Sequence, residues 1–204
     1  MHTLQGVVLK LEKNIRRTIG NRRYATISMV VFGVVVALLV IAIVFFSSKS
    51  PADSSMQSSY AYRVLKKIDQ VLDFSNLPIF QKVERQLKMW WFKTEYVPAE
   101  MLIRKTAHFS LYFLLAFSVT GFVQFWKRDV FVSILVGIGL PNLIAVFDEY
   151  NQLYYNRGSS LNDVMIDLSG AVCGTLSFLL IFLMTFLIRK FIVSRFKERH
   201  STDV

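Results

Sequence analysis

The sequence contains a single cysteine, only four prolines and nine glycines among its 204 residues, and just 19% of its residues are charged. One cysteine cannot form an internal disulfide, so a disulfide-stabilised scaffold is excluded. Glycine and proline are too scarce for a collagen-like or low-complexity chain. A soluble domain of this length usually carries about 25% charged residues. The shortage of charge, together with 53% hydrophobic residues gathered in long blocks, therefore excludes a soluble globular protein.

Four apolar segments are long enough to cross a bilayer as helices. They cover residues 25–46, 107–126, 130–147 and 164–188. At about 1.5 Å per helical residue, roughly 20 residues cross the hydrocarbon core of a membrane. These segments do not alternate apolar and polar residues as the strands of a transmembrane barrel would. The sequence therefore predicts an all-α, polytopic membrane protein with four transmembrane helices.

Basic residues are distributed unevenly among the segments that flank these spans. The N-terminal segment 1–24, the link between the second and third spans, and the tail 189–204 together hold 13 Lys and Arg against 4 Asp and Glu. Four spans place these three segments on one side, and such an excess marks the cytoplasmic side. The loop 47–105 also carries 10 Lys and Arg, but the rule applies mainly to short loops. We therefore predict that both termini are cytoplasmic, and we attribute the net charge of +10 to contacts with membrane lipids and not with nucleic acid.

The long loop 47–105 contains two amphipathic segments. Its first part, residues 47–59, is rich in serine and is predicted to be a flexible linker. Residues 60–74 and 79–93 then each place apolar residues at helical spacing opposite charged ones. Two adjacent tryptophans in the second segment favour the headgroup region of a membrane. The loop is therefore predicted to form an amphipathic helical hairpin on the outer membrane surface.

Ionisable and polar residues cluster at one end of the predicted spans. A charged side chain well inside a span costs about 2.5–3.5 kcal/mol on insertion scales, so such residues are candidates for function. With the topology above, all of them lie at the extracytoplasmic end. The candidates are Arg104, Lys105, His108 and Tyr112 on the second span, Asp148, Glu149 and Gln152 on the third, Arg157 in the following turn, and Ser160, Asp163 and Asp167 at the start of the fourth. This convergence is the strongest functional signal in the sequence.

Some of these residues also have a purely structural explanation. Arg104 and Lys105 lie where long basic side chains snorkel towards the membrane interface. Asp163 follows Ser160 in an S-x-x-D pattern, so helix capping could account for it.

The other acidic residues are harder to explain structurally. Asp167 lies one turn deeper than a cap and needs a partner, for which Arg157 and His108 are the candidates. Asp148 and Glu149 are adjacent on a helix and point in different directions, so only one of them is expected to face the bundle.

Small residues on the fourth span indicate how it packs. Gly170 and Gly174 form a small-x-x-x-small pattern, which lets another helix approach closely. Cys173 has no second cysteine to pair with and is predicted to be a small buried apolar residue.

At the polar residues the sequence resembles the VanZ-like family of bacterial membrane proteins, which is named for its association with resistance to the glycopeptide antibiotic teicoplanin. The resemblance rests on RKTAHFSLYFLL (residues 104–115), DEYNQ (148–152) and RGSSLNDVMIDLSGAVCG (157–174). These stretches are similar to a family pattern of K-x-x-H-x-x-x-Y, then D-E-x-x-Q, then R followed by S-x-x-D-x-x-x-N-x-x-G-x-x-x-G. Asp167 stands where the family usually has Asn. The resemblance implies a VanZ-like three-helix core over residues 106–188, located in the bacterial plasma membrane.

The resemblance implies a link to the cell envelope and to glycopeptide susceptibility, and two mechanisms remain open beside a purely structural or assembly role. In the first, the site binds a lipid-linked cell-wall precursor, an anionic headgroup or the lipoglycopeptide itself. Arg104, Lys105 and Arg157 would receive its phosphate or carboxylate. The remaining residues predicted to bind the ligand are Tyr112, Gln152, Ser160 and Asp167.

In the second mechanism, the protein is a membrane-embedded hydrolase or transferase. His108 would act as general base, and Asp148, Glu149 or Asp163 would orient it or act as the second acid. We predict no metal or other cofactor, since no Cys pair or H-x-x-x-H motif is present. If His108 and the carboxylates did bind a metal, a hard divalent ion would suit them better than a structural zinc.

Overall fold

The computed structural model describes residues 2–154 and 160–202. This part of the chain consists of helices joined by short links and contains no strand. Four of its helices are long and apolar enough to cross a membrane, over Arg22–Ser47, Ala99–Lys127, Val130–Tyr154 and Leu161–Ile188. The helices are α1 (His2–Ser47), α2 (Pro51–Leu72), α3 (Pro78–Phe92), α4 (Ala99–Lys127), α5 (Val130–Tyr154) and α6 (Leu161–Thr202), with a 3₁₀ turn at Phe74–Asn76. The prediction of an all-α, polytopic membrane protein with four spans is confirmed.

Helix α4 is the centre of the bundle. It contacts α1, α2, α5 and α6, and half of its most apolar segment is buried, against 6% for α1. The buried side chains of α4 include Tyr112, Leu115 and Val119, which pack with Ala145 of α5 and Ile43 of α1. Since α4 touches every other span, its side chains have the most neighbours with which to build a site.

Two glycines of α6 let it approach α4 backbone to backbone. A Cβ atom at Gly170 would overlap the carbonyl oxygen of Phe109, and one at Gly174 would overlap the carbonyl oxygen of Phe113. The predicted role of these glycines in packing is therefore confirmed. Because Phe109 and Phe113 are four residues apart, as are the glycines, the two helices run in parallel and in register from the end at which both begin.

The serine-rich start of the long loop is helical, so the prediction of a flexible linker over residues 47–59 is wrong. Helix α2 begins at Pro51, which suits the first turn of a helix, and the Ser50 hydroxyl accepts a hydrogen bond from the Asp53 N–H at 3.2 Å. Within the helix, Ser55 and Ser58 donate their hydroxyls to backbone carbonyls of the preceding turn. The serines therefore cap this helix and bond to its backbone, whereas their abundance alone indicated a linker.

The second loop helix, α3, is tethered to the bundle by its C-terminal end. Trp91 is buried against Phe109 of α4, with ring centroids 6.0 Å apart, whereas the neighbouring Trp90 is 66% exposed. Apolar residues on the rest of α3, such as Ile79 and Val83, are also exposed. The two predicted amphipathic helices of the loop are therefore present, with α3 held by Trp91.

The lone cysteine departs from its predicted position. Cys173 is exposed, so the prediction of a buried residue is wrong. Its neighbour Gly174 contacts α4, and a one-residue step rotates a helical side chain by about 100°. Cys173 therefore points away from the α4–α6 contact.

We predict that Gly174→Ala destabilises the bundle, because the added Cβ would overlap the Phe113 carbonyl oxygen. Overpacking of this kind costs about 1–3 kcal/mol, and each kcal/mol lowers the unfolding temperature of a chain of this size by about 2–4 °C. The measurement is thermal unfolding of the purified protein in detergent. Gly139→Ala is the matched control, since no atom lies within 4 Å of a Cβ atom placed there. Equal unfolding temperatures for the two variants would contradict the close α4–α6 contact.

Candidate functional site

A polar pocket lies at the end of the bundle where α4 and α6 begin and α5 ends. Seven of the eight residues that line it are candidates from the sequence, and the eighth is the apolar Ile166. The lining residues are Arg104, Lys105, His108, Glu149, Gln152, Asp163, Ile166 and Asp167. Three separate stretches of sequence therefore meet around one pocket.

Lys105 and Asp163 form an ion pair across the α4–α6 contact. Lys105 Nζ lies 2.6 Å from Asp163 Oδ1, and only 10% of the Lys105 side chain is exposed. The ammonium group also lies 4.7 Å from the centroid of the Phe92 ring at the end of α3. Lys105 therefore points into the bundle and does not snorkel to the interface. Asp163 serves as the counter-charge of Lys105, so its role is not limited to capping α6.

His108 and Asp167 lie deeper on the same two helices. His108 Nδ1 is 3.7 Å from Asp167 Oδ1, within ion-pair range and longer than a hydrogen bond. Asp167 is only 1% exposed. Of the two partners considered for Asp167, the structure places His108 beside it, while Arg157 lies outside the described residues.

Both acidic residues of α5 are buried, so the prediction that only one would face the bundle is wrong. Asp148 Oδ2 accepts a hydrogen bond from Gln152 Nε2 at 3.1 Å, and Glu149 Oε1 accepts one from the Ser160 N–H at 2.5 Å. The two side chains point in different directions, but each is buried against other helices or the residue before α6. Asp148 lies among α4 and α6, whereas Glu149 meets the residue that precedes α6.

The end of α1 packs against α5 beside these carboxylates. The Ser47 hydroxyl donates to the Asp148 carbonyl oxygen at 3.3 Å and accepts from Asn151 Nδ2 at 3.2 Å. The first span therefore supports the α5 end of the site, a role that its own apolar sequence did not indicate.

Tyr112 lies below the pocket and is almost completely buried. Its hydroxyl, Asp148 Oδ1 and Asp167 Oδ1 form no hydrogen bond with any described atom. Buried polar atoms of this kind are uncommon and call for an explanation. His108, Asp148 and Asp167 also offer ligand atoms that lie within 4.8 Å of one another.

Two residues that the sequence did not single out connect α3 to the helices that form the pocket. Asn162 Nδ2 donates to the Trp91 carbonyl oxygen at 2.8 Å, which ties the start of α6 to the end of α3. Phe92 covers the Lys105 ammonium group. Asn162 directly precedes Asp163 and could have been noticed as a polar neighbour, whereas no sequence signal pointed to Phe92.

A family model described as VanZ/LLP1 matches residues 32–189 of the chain. The chain belongs to the VanZ/LLP1 family. No curated protein and no solved structure matches it. The resemblance read from the three polar motifs is therefore confirmed, and the region matched in this VanZ/LLP1 protein takes in most of the first span and the whole loop as well as the pocket.

We predict that Lys105→Met strongly destabilises this VanZ/LLP1 protein, because it leaves Asp163 without its counter-charge. Removing one partner of a buried pair costs about 3–5 kcal/mol. The measurement is thermal unfolding in detergent. Adding Asp163→Leu should restore much of the lost stability, since the unpaired carboxylate is then removed.

The matched control for Lys105→Met is Lys88→Met. Lys88 pairs with Glu84 at 2.7 Å within α3, one turn apart. Such a pair along one helix contributes only about 0.2–0.5 kcal/mol. A Lys105→Met variant no less stable than Lys88→Met would show that the ion pair does not hold α4 to α6.

Proposed function

We propose that the protein binds an anionic ligand with an apolar chain, either a lipid-linked component of the bacterial cell envelope or a lipoglycopeptide, at the polar pocket and thereby lowers glycopeptide susceptibility. The observation that carries this proposal is the placement of Arg104 and Lys105 in a pocket formed by membrane-spanning helices. Charged side chains that are buried or half-buried at the end of a span are costly, and a binding role accounts for their presence. Membership of the VanZ/LLP1 family supports the link to the envelope.

The pocket has the charge pattern expected for a phosphate or carboxylate ligand. Arg104 is half-buried on the pocket wall, where its planar guanidinium could receive two oxygens of the ligand. Lys105 is already paired with Asp163. It would therefore contribute the electrostatic attraction of its positive charge and one further hydrogen-bond donor. Arg104 is therefore the main contact in this proposal, and Lys105 is the second.

The helices around the pocket suit a ligand with an apolar chain. Helix α3 ends beside the pocket and exposes Ile79, Val83 and Trp90. Exposed apolar side chains beside basic ones are typical of helices that lie in the headgroup region. An apolar chain could follow this surface while the anionic group meets the pocket residues. A lipid-linked cell-wall precursor, with its polyprenyl chain, and a lipoglycopeptide antibiotic, with its acyl chain, share this combination of an anionic group and an apolar chain.

We place the pocket on the extracytoplasmic side of the bacterial plasma membrane, with both termini in the cytoplasm. The distribution of basic residues supports this orientation, because 13 of them lie in the three segments remote from the pocket. An outward-facing pocket would meet cell-wall precursors and antibiotics on the side where both are present.

A second candidate function is catalysis on an envelope lipid or peptidoglycan precursor. The observation that favours it is the His108–Asp167 pair at 3.7 Å beside Asp148. A histidine oriented by a buried carboxylate is a common general base. In this reading the pocket holds the head of the substrate, and His108 accepts a proton from a hydroxyl group or water.

We predict that Arg104→Gln and Lys105→Gln each weaken ligand binding by at least about tenfold, since a charge-assisted hydrogen bond contributes about 1.5–3 kcal/mol. The measurement is binding of undecaprenyl phosphate and, separately, of teicoplanin to the purified chain in nanodiscs. Lys88→Gln is the control, because Lys88 lies on α3 outside the pocket lining. Unchanged affinity of both pocket variants for both ligands would rule out the binding proposal.

The same variants distinguish binding from catalysis in cells. Binding alone predicts higher teicoplanin susceptibility for Arg104→Gln at equal protein level, with an unchanged profile of envelope lipids and precursors. Catalysis predicts that Asp148→Asn shifts that profile relative to the wild type, as measured by mass spectrometry. If both Arg104→Gln and Asp148→Asn keep the wild-type profile and the wild-type teicoplanin susceptibility, the pocket is not the functional centre.

The orientation predicts the side from which introduced cysteines react. In a Cys173→Ser background, Gln57→Cys on α2 should react with a membrane-impermeant maleimide in intact cells. Asp129→Cys, between α4 and α5 at the opposite end, should react only after permeabilisation. Both residues are exposed, so the two sites differ in side and not in accessibility. The reverse labelling pattern would invert the topology.

A further inference from the structure

Three side chains from three different helices meet at the pocket, and two of them line it. They are His108 of α4, Asp148 of α5 and Asp167 of α6, and each offers one ligand atom within 4.8 Å of the others. Side-chain rotation would bring these atoms to the separation of about 3–4 Å found between ligands of one ion with bonds near 2.1 Å. The two carboxylates are at least nine-tenths buried, so any counter-charge must come from within the bundle.

Among the described residues, the neighbouring charges leave these two carboxylates without an ion pair to Lys or Arg. Lys105 is paired with Asp163, and Glu149 is bonded to a backbone N–H. Among the described residues, no Lys or Arg lies within 4.0 Å of the Asp148 or Asp167 carboxylate. His108 is the one described basic group near Asp167, and its 3.7 Å distance is too long for a hydrogen bond.

Three buried oxygen atoms at the cluster also lack a hydrogen bond among the described residues. Asp148 Oδ1, Asp167 Oδ1 and the Tyr112 hydroxyl are buried without a hydrogen bond to any described atom. Tyr112 is 1% exposed and lies next to Asp148. Each buried unsatisfied polar group costs about 1–3 kcal/mol, and a cation bound between Asp148 Oδ1 and Asp167 Oδ1 would satisfy both of these carboxylate oxygens.

We propose that His108, Asp148 and Asp167 bind a divalent cation, Mn²⁺ or Zn²⁺. The donor set is one imidazole nitrogen and two carboxylates, which suits these ions better than Ca²⁺ or Mg²⁺, since the latter prefer oxygen ligands alone. Gln152 donates to Asp148 Oδ2 and so orients Oδ1 towards the ion. Outer hydrogen bonds of this kind are typical of metal-binding carboxylates.

A bound ion would also make the pocket more selective for a phosphate group. Three protein ligands leave coordination positions open, and Arg104 and Lys105 line the same pocket as His108 and Asp167. A phosphate head could then be held between the ion and these two cations. This last consequence rests on the proposed function, whereas metal binding itself does not.

The test uses the full chain in phosphatidylcholine nanodiscs, stripped with a chelator and titrated with Mn²⁺ or Zn²⁺ alone. Free Mn²⁺ is followed by electron paramagnetic resonance, and bound Zn²⁺ by elemental analysis after gel filtration. We expect one ion per chain. Asp148→Asn and Asp167→Asn should each weaken binding at least about tenfold, because even the loss of an outer-shell partner costs 10–100-fold in metal affinity.

Asp73→Asn is the matched control, since Asp73 is an exposed acid at the end of α2 and lies outside both the pocket lining and the three-residue group. It should keep wild-type affinity within about threefold, a difference of less than about 0.7 kcal/mol. No binding to the wild type, or equal loss in all three variants, would overturn the proposal. Because the nanodiscs carry no anionic ligand, this result does not depend on the ligand-binding experiment.

A spectroscopic measurement on the wild type does not require any variant to fold. Mn²⁺ bound to His108 should show a nitrogen modulation in pulsed electron paramagnetic resonance, since the imidazole nitrogen is a direct ligand. A bound Mn²⁺ whose spectrum lacks this modulation would place the ion elsewhere and overturn the site. The two termini carry the other histidines, His2 and His200. Repeating the measurement on His2→Ala/His200→Ala should leave the signal unchanged.

Discussion

The close contact between α4 and α6 determines how the rest of the site is built. Gly170 and Gly174 allow the two backbones to touch at Phe109 and Phe113, and this contact fixes both the distance and the axial offset of the helices. About one turn from Gly170 towards the pocket, Asp167 lies beside His108, and one further turn along α6 Asp163 lies beside Lys105. The order of side chains along the pocket therefore follows from glycines that lie outside it.

Charge in this site is arranged by depth. The outer pair, Lys105 with Asp163, is compensated within itself and covered by an aromatic ring. The inner group has two buried carboxylates and a histidine at ion-pair distance from one of them. A low-dielectric interior strengthens both attraction and repulsion. The outer level is therefore well suited to holding the helices together, and the inner level to binding a positively charged species.

The sequence predicted those features that depend on local properties. The four spans follow from segment length and hydrophobicity, and the pocket residues from polar groups at the ends of spans. The partner of Asp163 could not be predicted, because the choice between capping and an ion pair for this residue depends on the offset of α4 against α6. The exposure of Cys173 was also hidden, since apolar residues cover every face of a span and do not reveal which face meets lipid. The helical start of α2 was masked by its serines.

The hydrogen bond from Asn162 to the Trp91 carbonyl oxygen has a consequence for the diversity of the family. It fastens the loop to the start of α6, directly beside Phe92, the ring that shields Lys105. A relative that kept every charged residue but carried a different loop would surround the same ammonium group with a different dielectric medium. Such proteins could differ in ligand preference while their polar motifs were identical, so the loop would have to be compared together with the motifs.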